Sequence, residues 1–126
     1  MRSTFFVSGL ISFSLLFFLS SCGDDNKVQL DLLQGKWTID KAFRGERKTE
    51  LLKDLFFEFH EDGKMMVNIS GKPEQTKYEL IDGVIHQTES SLDIDYQLKS
   101  LTDSTLVLQT VIRNIPFEFY LVKSME

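Results

Sequence analysis

The sequence predicts an all-β domain: an antiparallel up-and-down meander that closes into a roughly eight-stranded barrel, with a short helix before its first strand. Apolar and polar residues alternate with period two, as they do when one face of a strand is buried and the other is solvated. Turn-forming residues such as Asp82 and Gly83 recur at spacings of about 8–12 residues, which is typical of an all-β barrel or sandwich. Short turns favour sequential hairpins, and closure of the meander removes its exposed edges.

The same alternation bounds each element. Over residues 92–99 every second residue is apolar, whereas a helix would need apolar positions three and four residues apart. The expected strands are 36–43, 54–60, 64–70, 76–81, 84–88, 92–99, 104–112 and 115–123. Residues 28–34 are expected to form a short helix over one end of the barrel. The longest connection is 44–53, where Thr49 can cap a single turn. Each strand is expected to direct apolar side chains inward, without a cluster of buried polar groups.

The amino-terminal segment is a predicted signal peptide. Arg2 is the only charged residue before Asp24, and an apolar run follows it over residues 5–19. A membrane-spanning helix needs about 20 apolar residues, so this run is short for one. A basic start, a short apolar core and small residues at the end are the layout of a secretory signal, which we assign to residues 1–21. The alternatives are an ordinary signal peptide with an incidental cysteine and an uncleaved membrane helix.

The end of this segment, Leu19-Ser20-Ser21-Cys22, resembles a bacterial lipobox. The resemblance implies that the Cys22 thiol receives diacylglycerol, that the signal is cut before this cysteine, and that the new amino terminus is acylated. Cys22 is the only cysteine of the chain, which agrees with an attachment point rather than a disulfide. Two or more acyl chains hold a protein stably on a bilayer where one would not. The membrane is therefore an expected partner, through the lipid on Cys22.

Residues 22–27 are polar and are expected to form the lipidated cysteine and a flexible tether between the membrane and the domain. Asp24 and Asp25 resemble the acidic surface-export signals of some Gram-negative lipoproteins. This resemblance favours a lipid-anchored protein of the cell envelope, in the outer membrane, and is compatible with exposure at the cell surface.

A Gly-x-Trp motif, Gly35-Lys36-Trp37, follows the short predicted helix and precedes the first predicted strand. This arrangement over residues 28–126 resembles the lipocalin-like (calycin) domains of small bacterial lipoproteins. The resemblance implies that Gly35 allows a tight turn under the barrel and that Trp37 packs across its closed end, both as structural residues. The strands are shorter than those of larger lipocalins. The many apolar side chains therefore either fill the interior or leave room for one small ligand.

Composition and motifs argue against several functions. A net charge of −5 does not suit nucleic acid, whose binding needs clustered Lys and Arg. The single cysteine excludes an intrachain disulfide and a cysteine-built zinc site. The sequence contains no phosphate-binding loop, nucleophile elbow or dinucleotide fingerprint. His60 and His86 are expected on the solvated surface. We therefore predict no enzyme, no catalytic residues, no metal and no cofactor.

Two functions are compatible with these observations. In the first, the protein is a membrane-anchored lipoprotein whose lipocalin-like domain binds a small hydrophobic ligand, at residues that the sequence does not identify. In the second, it is a non-enzymatic interaction or structural module with a filled barrel core, and it contacts another protein of the envelope. The resemblance places the first slightly ahead.

Overall fold

The computed structural model describes residues 26–125 and shows a closed antiparallel barrel of eight strands with one short helix. The predicted fold class is therefore confirmed. Helix α1 covers residues 26–33. The strands are β1 (Gly35–Arg44), β2 (Arg47–Thr49), β3 (Phe56–Phe59), β4 (Lys64–Val67), β5 (Glu74–Ile81), β6 (Val84–Thr88), β7 (Asp95–Leu101), β8 (Thr105–Ile112) and β9 (Ile115–Lys123). Within the described residues, no helix is long and apolar enough to cross a membrane.

Strand β1 closes the barrel because it pairs on both of its edges. Its first residues pair with β3, with Trp37 opposite Phe57, and nearly its whole length pairs with β9, with Trp37 opposite Lys123. The remaining strands follow one another in chain order from β3 to β9. This order is the predicted meander, and the eight-strand ring consists of every strand except β2.

Strand β2 was not predicted. It lies within the expected connection 44–53 and folds back on the end of β1, with Ala42 opposite Thr49. The expected turn at Thr49 is present, since the Thr49 hydroxyl oxygen accepts a hydrogen bond from the Leu51 N–H at 3.2 Å. Strand β2 has only three residues and pairs with β1 on one edge, so it is not one of the eight strands of the ring.

Strand β4 ends three residues before the predicted boundary because the Asn68 side chain bonds to the chain beside it. The Asn68 Oδ1 atom accepts the Phe56 N–H at 2.9 Å. Its Nδ2 atom donates to the Asp54 carbonyl at 2.9 Å. The ladder between β3 and β4 stops at Val67. Beyond it the Asn68 side chain makes the connection, so Asn68 anchors the loop at the end of the barrel where β4 ends.

Aromatic rings fill the interior. Strands β3 and β7 lie on opposite sides of the eight-strand ring, yet the Phe57 ring meets the Tyr96 ring edge-on with centroids 5.2 Å apart. Phe57 also stacks on Phe59 at 6.0 Å and tilts against Phe119 at 6.1 Å. A contact between opposite walls spans the barrel, so side chains rather than an open cavity occupy its middle.

One end of the barrel is covered by helix α1. Trp37 is fully buried, and its indole N–H donates to the Leu33 carbonyl at 2.8 Å. The Lys123 ammonium lies 4.5 Å from the centroid of the Trp37 ring and donates to the Gln34 carbonyl. Burial lowers the pKa of Lys123. Helix, indole and ammonium together form what we call the closed end.

We expect Gly35→Ala to destabilise the closed end more than Gly71→Ala destabilises its loop. Both glycines have φ of +113°, which strains any other residue by about 1–3 kcal/mol. A Cβ at Gly35 would lie 3.1 Å from Lys123 Nζ, whereas one at Gly71 would meet nothing within 4 Å. Urea unfolding should show an additional loss of about 1 kcal/mol for Gly35→Ala, because Lys123 is pushed off its carbonyl partner.

The additional loss should disappear when Gly35→Ala is made in a Lys123→Ala background, where the crowding atom is missing. Equal losses at Gly35 and Gly71, or an additional loss that persists without Lys123, would contradict the packing that we describe at the closed end.

Candidate functional site

The end opposite helix α1 carries an apolar depression, which we call the mouth. Its volume is about 420 Å³. Five partly buried apolar side chains from loops and strand ends line it. They are Leu52, Ile69, Leu92, Ile112 and Phe117. Arg113 and two serines, Ser70 and Ser91, complete the lining. Small-molecule sites are concave, largely apolar and of about 300–1,000 Å³, so the mouth has the size and character of one.

The floor of the mouth is closed by the aromatic interior. Phe117 lines the mouth and stacks on Phe119, with centroids 6.0 Å apart. Phe119 is fully buried and contacts Phe57. A ligand in the mouth would therefore rest on Phe117 rather than descend along the barrel axis.

A second, larger concavity lies on the outer wall over strands β6 to β9, and we call it the side groove. Its volume is about 940 Å³. Nine of its fifteen lining residues are polar, among them His86, Asp93, Asp95, Gln97, Gln109, Thr110 and Glu118. The apolar part consists of Val84, Ile94, Val111, Pro116 and Phe117.

The side groove exists because the barrel wall opens between β7 and β8. Their ladder begins at the pair Gln97 and Gln109, and no pairing continues from there toward the mouth. Beyond the ladder, the Thr110 hydroxyl donates to the Asp95 carbonyl at 2.7 Å. A side chain thus joins the strands where backbone pairing has stopped. The lining accordingly includes Gln87, whose side chain is buried inside the barrel, as well as outer residues.

Hydrogen bonds hold two acidic groups of the side groove, Asp95 and Glu118, in place. The Asp95 carboxylate lies 2.8 Å from His86 Nδ1. The Glu118 carboxylate accepts from the Gln109 amide at 2.8 Å and from the Tyr120 hydroxyl at 2.9 Å. The bond to Glu118 raises the pKa of Tyr120, and burial and the charge of Glu118 act in the same direction. Among the described residues that line the groove, none is a lysine or an arginine.

The expectation of an interior without polar groups is wrong at three positions: Thr76, Gln87 and Thr110 are buried. The Tyr96 hydroxyl donates to Gln87 Oε1 at 2.7 Å, and Gln87 Nε2 donates to the Ser90 hydroxyl oxygen at 3.1 Å. Burial raises the pKa of Tyr96, because the interior disfavours the charged phenolate. This series of hydrogen bonds from Tyr96 through Gln87 to Ser90 supports the loop after β6.

Within residues 26–125, the site residues considered in the sequence analysis lie apart from the mouth. Cys22 falls outside the described residues, while Gly35 and Trp37 lie at the closed end. His60 Nε2 is 3.3 Å from the Glu58 carboxylate and its side chain is 53% exposed, whereas His86 lines the side groove. Within residues 26–125, no three acidic, histidine or cysteine side chains are grouped to hold a metal ion.

Sequence reasoning did not identify the residues of the mouth or the side groove. The mouth had a weak signal, because Leu52, Ile69, Leu92 and Ile112 are apolar residues beside turn-forming ones. The side groove had none, since its residues look like the solvated face of ordinary strands until the register brings them together.

Comparison of the chain with protein-family models, with curated proteins and with solved structures gives no match.

We expect Tyr96→Phe to lower the free energy of unfolding by about 1–3 kcal/mol at pH 7, since buried Gln87 Oε1 loses its donor. The raised pKa of Tyr96 stabilises the fold below about pH 10, the ordinary tyrosine value, and this contribution is lost as pH rises above it. The stability difference between wild type and variant should therefore shrink above pH 10.

Tyr120→Phe is the matched control, because the hydroxyl of Tyr120 bonds on the outer wall. We expect a loss of about 0.5 kcal/mol or less for this variant. A Tyr96→Phe loss no larger than that of Tyr120→Phe, or a difference that grows at alkaline pH, would refute the role given to the buried phenol.

Proposed function

We propose that this chain is a membrane-anchored lipoprotein of the bacterial envelope whose lipocalin-like barrel binds a small apolar ligand in its mouth. The observation that carries the proposal is the mouth itself, an apolar depression of about 420 Å³ at the end opposite helix α1. Its apolar lining consists of Leu52, Ile69, Leu92, Ile112 and Phe117. Burial of a ligand's apolar surface there would contribute about 25 cal/mol of binding free energy per Å² removed from water.

The filled interior limits the ligand to the mouth. Phe57 and Tyr96 meet across the barrel, so an entering molecule would have to displace packed rings. Core packing resists such displacement, because overpacking typically costs about 1–3 kcal/mol. The proposed ligand is therefore small, or long enough to leave part of itself outside the mouth.

The position of helix α1 supports the proposed anchor. The helix covers the closed end, where Leu33 is buried and Leu30 packs against the core. Its eight residues extend over about 12 Å. An anchor at Cys22 would join the barrel close to this end and would leave the mouth directed away from the membrane. In this arrangement a ligand reaches the mouth from the aqueous side.

A second candidate is the interaction module with a filled core, whose outer surface contacts another envelope protein. The aromatic interior favours the interaction module, because packed side chains occupy the space in which a ligand-binding barrel would hold its ligand. Chemical crosslinking in intact cells distinguishes the two functions when it is combined with the ligand measurement below.

We expect an apolar fluorescent dye to bind a chain that begins at Asn26, which retains the helix and every strand of the barrel. Leu52→Asn should weaken binding about tenfold, because a polar amide replaces an apolar wall of the mouth. Ile81→Asn is the matched control: Ile81 is 49% exposed and lies at the end of β5, on the closed-end side.

Dye titration measures both variants, and native mass spectrometry detects any ligand that copurifies. An absence of dye binding and of a bound ligand, together with a crosslinked protein neighbour, would replace the proposed function by the interaction module. Equal weakening by Leu52→Asn and Ile81→Asn would show that the dye does not occupy the mouth.

We expect Cys22→Ala in the full chain to abolish membrane retention or leave the precursor unprocessed, because the variant has no thiol to receive the lipid. Fractionation of cells measures retention, and the intact mass of the wild-type chain shows the added lipid. Ser12→Ala, within the apolar run, serves as the control and should leave both unchanged. Undiminished membrane retention of Cys22→Ala would contradict lipidation.

A further inference from the structure

The mouth and the side groove meet at one residue. Phe117 lines both concavities. On β8, Val111 lines the side groove and Ile112 lines the mouth. Leu92 of the mouth is likewise followed directly by Asp93 of the side groove. The two surfaces are thus continuous across the opening between β7 and β8, where the ladder stops.

The two parts of this surface differ in chemistry. The mouth is apolar, whereas the side groove presents the carboxylates of Asp93, Asp95 and Glu118 and includes no described lysine or arginine. Carboxylates only accept hydrogen bonds. The side groove therefore favours a group that is positively charged and rich in donors, and it repels an anion.

We propose that the mouth and the side groove form one binding site for an amphiphile with a primary-amine head. The apolar chain lies over Phe117 in the mouth, and the ammonium group lies in the side groove near the Asp95 and Glu118 carboxylates. This proposal rests on the proposed function, since it requires that the mouth takes an apolar chain. An ammonium group carries three donors, which suits carboxylates already held in place by His86 and Gln109.

Arg113 offers the competing arrangement. It lines the mouth and is exposed, so an anionic head could pair with its guanidinium while the same apolar chain occupied the mouth. The two arrangements differ in the head group that they prefer and in where this group lies, and a series of probes with one chain and different heads separates them.

The experiment uses the chain that begins at Asn26 and three probes with the same ten-carbon chain: decylamine, decanol and decanoate. Each competes with the apolar dye at pH 7, below its micelle concentration. We expect decylamine to bind at least about tenfold more tightly than decanoate, with decanol between them. Amide signals of Gln109 and Gln97 in the NMR spectrum should shift with decylamine and stay in place with decanol.

A double variant, Asp95→Asn with Glu118→Gln, tests the location of the head. It should weaken decylamine about tenfold and leave decanol unchanged. Asp31→Asn with Asp103→Asn is the matched control, because it removes the same charge at helix α1 and at the turn between β7 and β8 on the closed-end side. This control should leave both affinities unchanged.

The outcomes separate the two levels of the proposal. If none of the probes binds, the proposed function itself fails. If decanol binds but decanoate equals or exceeds decylamine, the amine head is wrong while the apolar mouth stands, and loss of decanoate binding in Arg113→Gln would place the head at Arg113. Equal weakening of decylamine by the two double variants would also overturn the proposal, because it would indicate net charge rather than the side groove.

Discussion

The double pairing of strand β1 is the constraint on which the rest of the structure depends. One edge of β1 bonds to β3 and the other to β9, and this closes a ring that would otherwise be a curved sheet with two free edges. The register of this seam sets Trp37 beside Lys123. The ammonium group can therefore lie over the indole and bond to the chain at the end of helix α1. Closure of the ring and closure of its end are consequences of the same pairing.

The ring has eight strands, and eight is the number at which side chains can fill a barrel. Phe57 and Tyr96 meet from opposite walls, so packed side chains that stabilise the fold occupy the interior. This filling moves the available concave surface to the mouth and to the outer wall. The proposed ligand site is consequently open to solvent.

The opening between β7 and β8 is the main departure from a regular barrel. Pairing stops after Gln97 and Gln109, and the Thr110 side chain bridges the strands in place of the backbone. The same region holds the buried hydrogen-bond chain of Tyr96 and Gln87. Polar groups next to an incomplete ladder are satisfied by one another, which explains why a small apolar core tolerates them. The opening also connects an apolar surface to an acidic one.

The sequence by itself determined the fold class, the order of the strands and most of their boundaries, because period-two alternation and turn residues are local properties. Strand β1, for example, extends the predicted limits by one residue at each end, and β9 has the predicted limits. Strand β2 and the early end of β4 were not predicted, since the first has only three residues and the second depends on where the Asn68 amide bonds. The limits of β7 were also wrong, because it covers Asp95–Leu101 and not 92–99, and helix α1 begins two residues before the predicted position 28. Only the tertiary structure decided which side chains come together: the contact of Phe57 with Tyr96, the burial of Gln87 and the presence of Asp95 and Glu118 in one groove all depend on register and closure. These are relations between distant parts of the chain, and no local pattern encodes them.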